Sequence, residues 1–366
     1  MSQNILTVKT VDGGAPVQVD LSSWTAQTAD GRVVTMDLGA DDVHIQSALA
    51  DAVFGFKLPD GIADQAMPVI PVPKSSDKYW IWDKNDTFQQ AQNVLSAPGG
   101  AVQELPQRLS NTPFNTLPYA VCAVIPTEVE ANADSRVSPR RAAVRRCMNV
   151  LMIAREVRVA AALRLATNYG ANNKTALGAS AKWNGGTSSN PVQDLYTRIE
   201  AAASPITSVI MSEGVWHDFV QNAGTQKFAA YKQAVPGIPQ STSALASEFS
   251  AFLGLPPIVI GAMKSIDPTL GTLQYVWGGD VVLVHQPNGN GVALDGQDIS
   301  TGYTFRWSQP DGMPSDLAEM SGGFFIRSFF DPKRGPRGAT VIVVGHNDAE
   351  QFITDYVSGF IGGARQ

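Results

Sequence analysis

Between Arg136 and Arg164 the sequence carries eight arginines, Arg136, Arg140, Arg141, Arg145, Arg146, Arg155, Arg158 and Arg164, opposed only by Glu156. A guanidinium is a planar fork of donors that fits a phosphate or a carboxylate, so such a run can grip a polyanion or an acidic protein surface. Its ordinary alternative is a solvated helix face. No aromatic side chains interleave with the arginines as they do in base-reading surfaces, which argues against sequence-specific nucleic-acid recognition. A second cluster, Tyr79, Trp80, Trp82 and Phe88, offers apolar area instead of charge. In a central strand these rings would be core. The nearby Pro68, Pro71 and Pro73 and the neighbouring lysines favour a projecting segment instead, where the rings serve as a contact surface. Tyr79, Trp80, Trp82 and Phe88 are therefore candidates for contact between subunits, and Arg140, Arg141, Arg145 and Arg146 for contact with an acidic arm or with DNA phosphates.

The side chains that catalysis or metal binding would need are not arranged for it. The four histidines, His44, His217, His285 and His346, are dispersed, with no second His or Cys at ligand spacing. His217 and Asp218 are adjacent on a helical segment and so point to different faces, which prevents them from working as a base and its orienter. The stretch NGNGVALDG has Leu294 where a dinucleotide fingerprint needs its third glycine, and no phosphate-binding G-x-x-x-x-G-K-[ST] occurs. Cys122 and Cys147 form no C-x-x-C pair, so neither a disulfide framework nor a thiolate zinc site is indicated. No catalytic, cofactor or metal residues are assigned. The absence of a signal-peptide pattern and of any long apolar run points to synthesis in a reducing cytosol and to no membrane partner. The net charge of −6 gives no global attraction to nucleic acid.

These residues must be held by elements the sequence also suggests. Residues 1–66 mix short β-rich pieces (5–8, 17–21, 32–36) with a loosely periodic helical candidate after Asp41 or Asp42, whose apolar positions are Val43, Ile45, Leu49, Val53 and Phe54. Nine aspartates occur through residue 64 against Lys9, Arg32 and Lys57, so this arm is acidic. Residues 67–120 read as a long protruding β-hairpin. Ser138 as N-cap, Pro139 at the first helical position and Gly170 beyond the end predict one helix over 138–169, about 45 Å long, apolar almost all round at Val144, Met148, Val150, Leu151, Ile153, Val157 and Leu163. From 191 to 320 helices (192–202, 213–221, 226–233, 243–253) alternate with strands (208–211, 257–262, 280–285). Two further strands, 323–330 and 340–344, joined by the turn DPKRGPRG, precede a terminal stretch at 352–360.

This order of parts, with the phrases PVIPVPKSSDKYWIWDKNDTF, VIPTEVEANADSRVSPRRAAVRRCMNVLMIAREVRVA, AKWNGGTSSNPVQDLYTRIEAAA and VIMSEGVWHDFVQN followed by LGLPPIVIGAMK, resembles the major capsid proteins of tailed bacteriophages, the Hong Kong 97-type fold, from about Leu58 to the end. The resemblance implies an α+β subunit with an N-terminal arm (1–66), an extended loop (67–120), a peripheral domain holding the spine helix (121–190), an axial domain (191–320) and a return to the peripheral domain (321–366). It implies a structural protein, not an enzyme, that assembles with itself into pentamers and hexamers of a virion head. Portal, a separate scaffolding protein and packaged double-stranded DNA would be its partners, and the subunit would be made in the bacterial cytoplasm. Lys74, Lys78, Lys84 and Asn347 lie in regions where some members crosslink, but no local motif carries that bond over. The rivals are an encapsulin-like nanocompartment shell, from a different class a soluble α/β hydrolase, and a phage tail or surface adhesin, which should be β-rich and repetitive, unlike the helix over 138–169.

Overall fold

The computed structural model describes residues 5–8, 17–20, 25–27, 33–35, 61–82, 84–88, 109–133, 138–226, 242–266, 271–287, 299–307, 318–320 and 323–365. Near the N-terminus, β1 (Ile5–Val8), β2 (Val17–Asp20), β3 (Thr25–Gln27) and β4 (Val33–Thr35) pair antiparallel in sequence order, a sheet where only separate β-rich pieces were expected. The helical candidate after Asp41 lies outside the described residues, as does nearly all of 226–233. The chain then runs through α1 (Ala63–Ala66), β5 (Val69–Val72), β6 (Ser76–Trp82), α2 (Lys84–Thr87), β7 (Leu109–Asn115), β8 (Leu117–Pro126) and α3 (Thr127–Ala131). After α4 (Pro139–Arg164) come β9 (Lys174–Ala176), α5 (Pro191–Ala201), β10 (Ser208–Ser212), α6 (Glu213–Gln221), α7 (Thr242–Leu253), β11 (Ile258–Gly261), β12 (Lys264–Ile266) and β13 (Leu273–Tyr275). The last strands are β14 (Val281–Val284), β15 (Gly302–Trp307), β16 (Ala318–Met320), β17 (Phe324–Asp331), β18 (Ala339–Phe352) and β19 (Gly359–Gly362).

Two sheets organise the molecule. One has the order β16-β17-β18-β15-β5, with β8 paired to β18 as well; the other has the order β11-β10-β14-β19-β9. The first is built around β18, whose early residues pair with both β17 and β8 and whose last residues pair with β15. Apolar residues of β8, β17 and β18 (Ile125, Ile326, Ile342, Val344) face Val144, Met148 and Leu151 of α4. In the second sheet, Val281 and Leu283 pack beneath α5, α6 and α7 through Leu195, Val215, Phe219 and Phe249. A third core joins the two, with Val159 and Leu163 of α4 against Trp277, Val282 and Phe360. The expected boundaries at 190 and 320 do not match these sheets. Strand β9 lies before 190 and β19 after 320, yet both belong to the second sheet, while β15 lies before 320 and belongs to the first. Hydrogen-bond pairing between strands far apart in sequence decides this, and no linear composition shift marks it.

The long helix begins where the sequence places it. Ser138 Oγ accepts a hydrogen bond from Arg141 N, 3.4 Å away, and Pro139 occupies the first turn, where no backbone N–H is required. It ends earlier than the expected residue 169, after Arg164. The side chains of Asn168 and Tyr169 fold back to donate to the carbonyls of Ala162 (2.9 Å) and Leu163 (2.6 Å), satisfying acceptors that another helical turn would have taken. The strand expected over 340–344 is instead the 14-residue β18. The turn before it places Gly335 and Gly338 at φ +79°, a conformation that favours glycine.

Candidate functional site

The middle of α4 carries the densest polar arrangement among the described residues. Along β18, His346, Asp348 and Glu350 alternate with Asn347 and Ala349 and so share one face of the strand. Arg306 of β15 grips Asp348 through two hydrogen bonds of 2.6 and 2.7 Å, and Arg155 Nε stands 3.7 Å from the same carboxylate. Arg158 donates to Glu350 at 2.9 Å, reaches His346 Nε2 at 3.2 Å, and stacks 3.6 Å above the ring of Tyr119. Arg155 also pairs with Asp64 (2.7 Å) and Arg164 with Asp280 (2.8 Å). Glu156, one position on, turns the other way and accepts from Ile62 N (3.1 Å), Ala63 N (2.8 Å) and Trp277 Nε1 (2.7 Å).

The charge states follow from burial and neighbours. Burial pushes the His346 imidazole down to about 3, and the cations Arg306, Arg158 and Arg155 push the same way against Asp348, so the ring is neutral. Burial would raise the Asp348 carboxyl, but the hydrogen bonds and charge of Arg306, helped by His346 and Arg155, outweigh it and hold the group below the usual carboxylate range. Burial raises the Glu156 carboxyl despite the hydrogen bonds from Trp277, Ile62 and Ala63 and the charge of Arg155. His346 Nε2 and Asp348 lie 3.2 Å apart, but both side chains are fully buried and no substrate could reach them. The arrangement is a joint: it ties α4 to the N-terminal segment, to β15 and β18, and to the turn before β14.

The sequence-derived candidates divide. Tyr79 packs on Phe305 with ring centroids 5.4 Å apart, and Phe114 stacks on the same ring at 4.5 Å. The parallel pairing of β5 with β15 sets the β6–β7 hairpin over Phe305, so Tyr79, half-buried, packs against the subunit's own core. Trp80 is exposed, and the side chain of Trp82 lies outside the described residues. Phe88 is exposed but leans edge-on against Tyr356 at 6.1 Å. Arg140 pairs with Glu130 of α3. Arg141, Arg145 and Arg146 are exposed, with no partner among the described residues. The apolar positions of the helix are not all buried: Val150 and Val157 face outward. Sequence reasoning missed the joint entirely. Its one visible signal is the polar alternation 346, 348, 350 beside a run of arginines.

Among the described residues no helix is long and apolar enough to cross a membrane, and no group of three or more His, Cys, Asp or Glu is placed to hold a metal ion. No family model matches the chain. A major capsid protein of Pseudomonas phage JBD67 is 24% identical over 140 residues, 38% of this chain and 45% of that protein. The chain therefore matches less than half the length of this relative. A crystal structure of a phage-related protein of Bordetella bronchiseptica superposes with a TM-score of 0.63 at 18% identity, covering 87% of this chain and 97% of that one. The capsid of cyanophage P-SCSP1u gives 0.51 at 10% identity over 84% and 90% of the two chains. The SrpI encapsulin of Synechococcus elongatus PCC 7942 gives 0.50 at 9% identity over 82% and 87%. The chain has the α+β fold of these structures, the Hong Kong 97-type fold.

Proposed function

We propose that this chain is the major capsid protein of a tailed phage, a non-catalytic subunit that assembles into pentamers and hexamers of an icosahedral head around double-stranded DNA. The observation that carries this reading is a fold shared across most of the chain with a phage capsid, joined to a 140-residue sequence match to a protein described as a major capsid protein. In this reading the unit around the second sheet is the axial domain, and the first sheet with α4 is the peripheral domain. The β6–β7 hairpin is the extended loop, with Trp80 and Phe88 as its outward contacts, and residues before 61 form the arm. Arg141, Arg145 and Arg146 face packaged phosphates or an acidic arm, and portal and a separate scaffolding protein complete the assembly in the host cytoplasm. Electron microscopy and light scattering of the purified full chain, over a range of salt and concentration and with phage partners added, test it. Closed shells or capsomers are expected, and a monomer under every condition would sink the proposal. The match to an encapsulin supports a second reading, a shell around protein cargo. An enzyme co-purifying inside shells that hold no DNA would favour it.

A further inference from the structure

Strand β8 pairs with β18 along one edge, and among the described residues no strand pairs with its other edge. Which backbone groups that free edge carries follows from the ladder. Thr127 N donates to Gly338 O at 3.2 Å, one step beyond the register that sets Pro126 opposite Ala339, so the odd-numbered residues of β8 turn their N–H and C=O groups towards β18. The even-numbered residues turn theirs outward. Pro118 and Pro126 are both even-numbered, where a missing N–H costs the sheet no bond. The outward donors of the strand are therefore the N–H groups of Ala120, Cys122 and Val124. No residue from Leu117 to Pro126 is charged, and the side chains at 118, 120, 122, 124 and 126 are all exposed. An uncharged open edge of this length is a template for another strand.

The two prolines say which strand fits. We infer that β8 pairs antiparallel with β8 of a second copy, across a two-fold axis at Cys122, as a self-complementary contact. In that register Cys122 faces its own counterpart and Ala120 faces Val124, so every outward N–H of these residues meets an outward carbonyl. Pro118 faces Pro126, and the ladder stops at both ends where neither strand has a donor. Sliding by two residues sets a proline opposite Ala120 or Val124 and leaves that residue's carbonyl unpaired. The helix beside the edge also favours a second copy. Val150, Ala154 and Val157 of α4 line, with Tyr119 of β8, an open groove of about 710 Å³, and Val150 and Val157 are 49% and 40% exposed. A two-fold axis through the joined sheet keeps both copies of α4 on one face, so the second α4 lies beside this groove and covers apolar area that water otherwise meets. The contact deepens the shell reading, on which it rests for its second copy.

Mild oxidation of the full chain with copper phenanthroline, read on a non-reducing gel, tests the register. Directly paired residues of this kind have Cα atoms about 5.5 Å apart, within the span of a disulfide. Each bond formed takes two protons and two electrons from two thiols, with copper as the electron acceptor. Covalent dimers are expected from the parent chain and from C147S, and none from C122S. In a C122S/C147S chain, A120C alone and V124C alone should not link, because each faces the other position, whereas A120C/V124C should. V124P, which removes no bond to β18, should abolish linking through Cys122 while the subunit's denaturation midpoint stays near that of the parent. Light scattering of the same preparations reports on assembly separately. Assembled shells without Cys122 dimers overturn the pairing and leave the shell reading standing, and equal linking from 120, 122 and 124 singly, the mark of chance collision, overturns it as well. Cys122 dimers that never grow into larger assemblies keep the pairing and sink the shell reading, and a monomer under every condition sinks both.

Discussion

The two halves of α4 carry arginines of the same type in one continuous run, yet they do opposite things. At the start, Arg141, Arg145 and Arg146 stand exposed, with no partner among the described residues. Fourteen residues after Arg141, Arg155 is buried between Asp64 and Asp348, Arg158 is held by Glu350 and the ring of Tyr119, and Arg164 by Asp280. All four acids come from other parts of the chain. A cation's role is thus set by what the fold brings to it: buried and paired it fixes geometry, exposed it is available to a polyanion. The acidic N-terminal stretch of sequence illustrates the point, since one of its nine aspartates, Asp64, already has its arginine, and that arginine is Arg155 rather than one of the exposed three.

The comparison can be broken most sharply at Asp348. Replacing it with Ala leaves Arg306 and Arg155 buried without their shared counter-ion, a loss of about 3–5 kcal/mol for a broken buried pair. Chemical denaturation of the subunit should register it as a large fall in midpoint, or as failure to fold. A midpoint within error of the parent would mean that this half of the helix is no more structural than the other.

A smaller effect concerns acid. His346 has a folded-state value of about 3 against an ordinary 6.5, so between those values the unfolded chain binds more protons and stability rises with pH. Asp348, held low, adds in the same direction: its contribution is present above its unfolded value and fades as pH falls through the folded one. Glu156, held high, works the other way, contributing most at low pH and losing that contribution as pH rises through its folded value. Denaturation midpoints should therefore drop as pH is lowered from 6.5 towards 4. H346L should flatten that slope by up to one proton's worth, and an unchanged slope would show that the imidazole is not the neutral, buried group described.

The smallest effect on the subunit is expected at the exposed end. R141E/R145E/R146E should move folding stability by no more than about 0.5 kcal/mol per site, because exposed side chains away from caps and networks contribute little. What should change is assembly or genome retention. Loss of DNA retention with normal empty shells assigns these arginines to phosphates, with a salt-sensitive signature. Impaired empty shells, partly restored by reversing arm aspartates, assign them to the arm. A large stability loss would erase the distinction between the two halves.

Much of this was legible because it is local. The start of α4 is written in Ser138-Pro139, whose hydroxyl and missing N–H suit a first turn, and the turn before β18 in the glycines of DPKRGPRG. The β-branched runs at 208–212, 258–261 and 281–284 announce buried strands. The strand β18 was read too short because its later residues, Gly345 to Gln351, break the apolar pattern. They remain strand because their backbone pairs with β8 and β15, while Arg306 and Arg158 satisfy the carboxylates of Asp348 and Glu350. The aromatic cluster was read as one surface, yet Tyr79 and Trp80, adjacent in sequence, differ in exposure because successive strand residues point to opposite faces and only one face meets Phe305.

By itself the sequence determined the element types of its strongly patterned stretches and the presence of a cationic run, an acidic N-terminal stretch and an aromatic cluster, since each depends on composition, propensity, capping or period within a few turns of chain, whereas the fold class was legible only through the resemblance of the whole order of parts to a known family. Only the tertiary structure decided which sheet each strand joined, where α4 stopped, and which arginines were neutralised. Arg155 and Asp348 are far apart along the chain and carry no mutual mark in composition or spacing. They meet because β18 is threaded between β17, β8 and β15 beneath α4, and burial then makes every unpaired charge on that face costly enough to demand a partner.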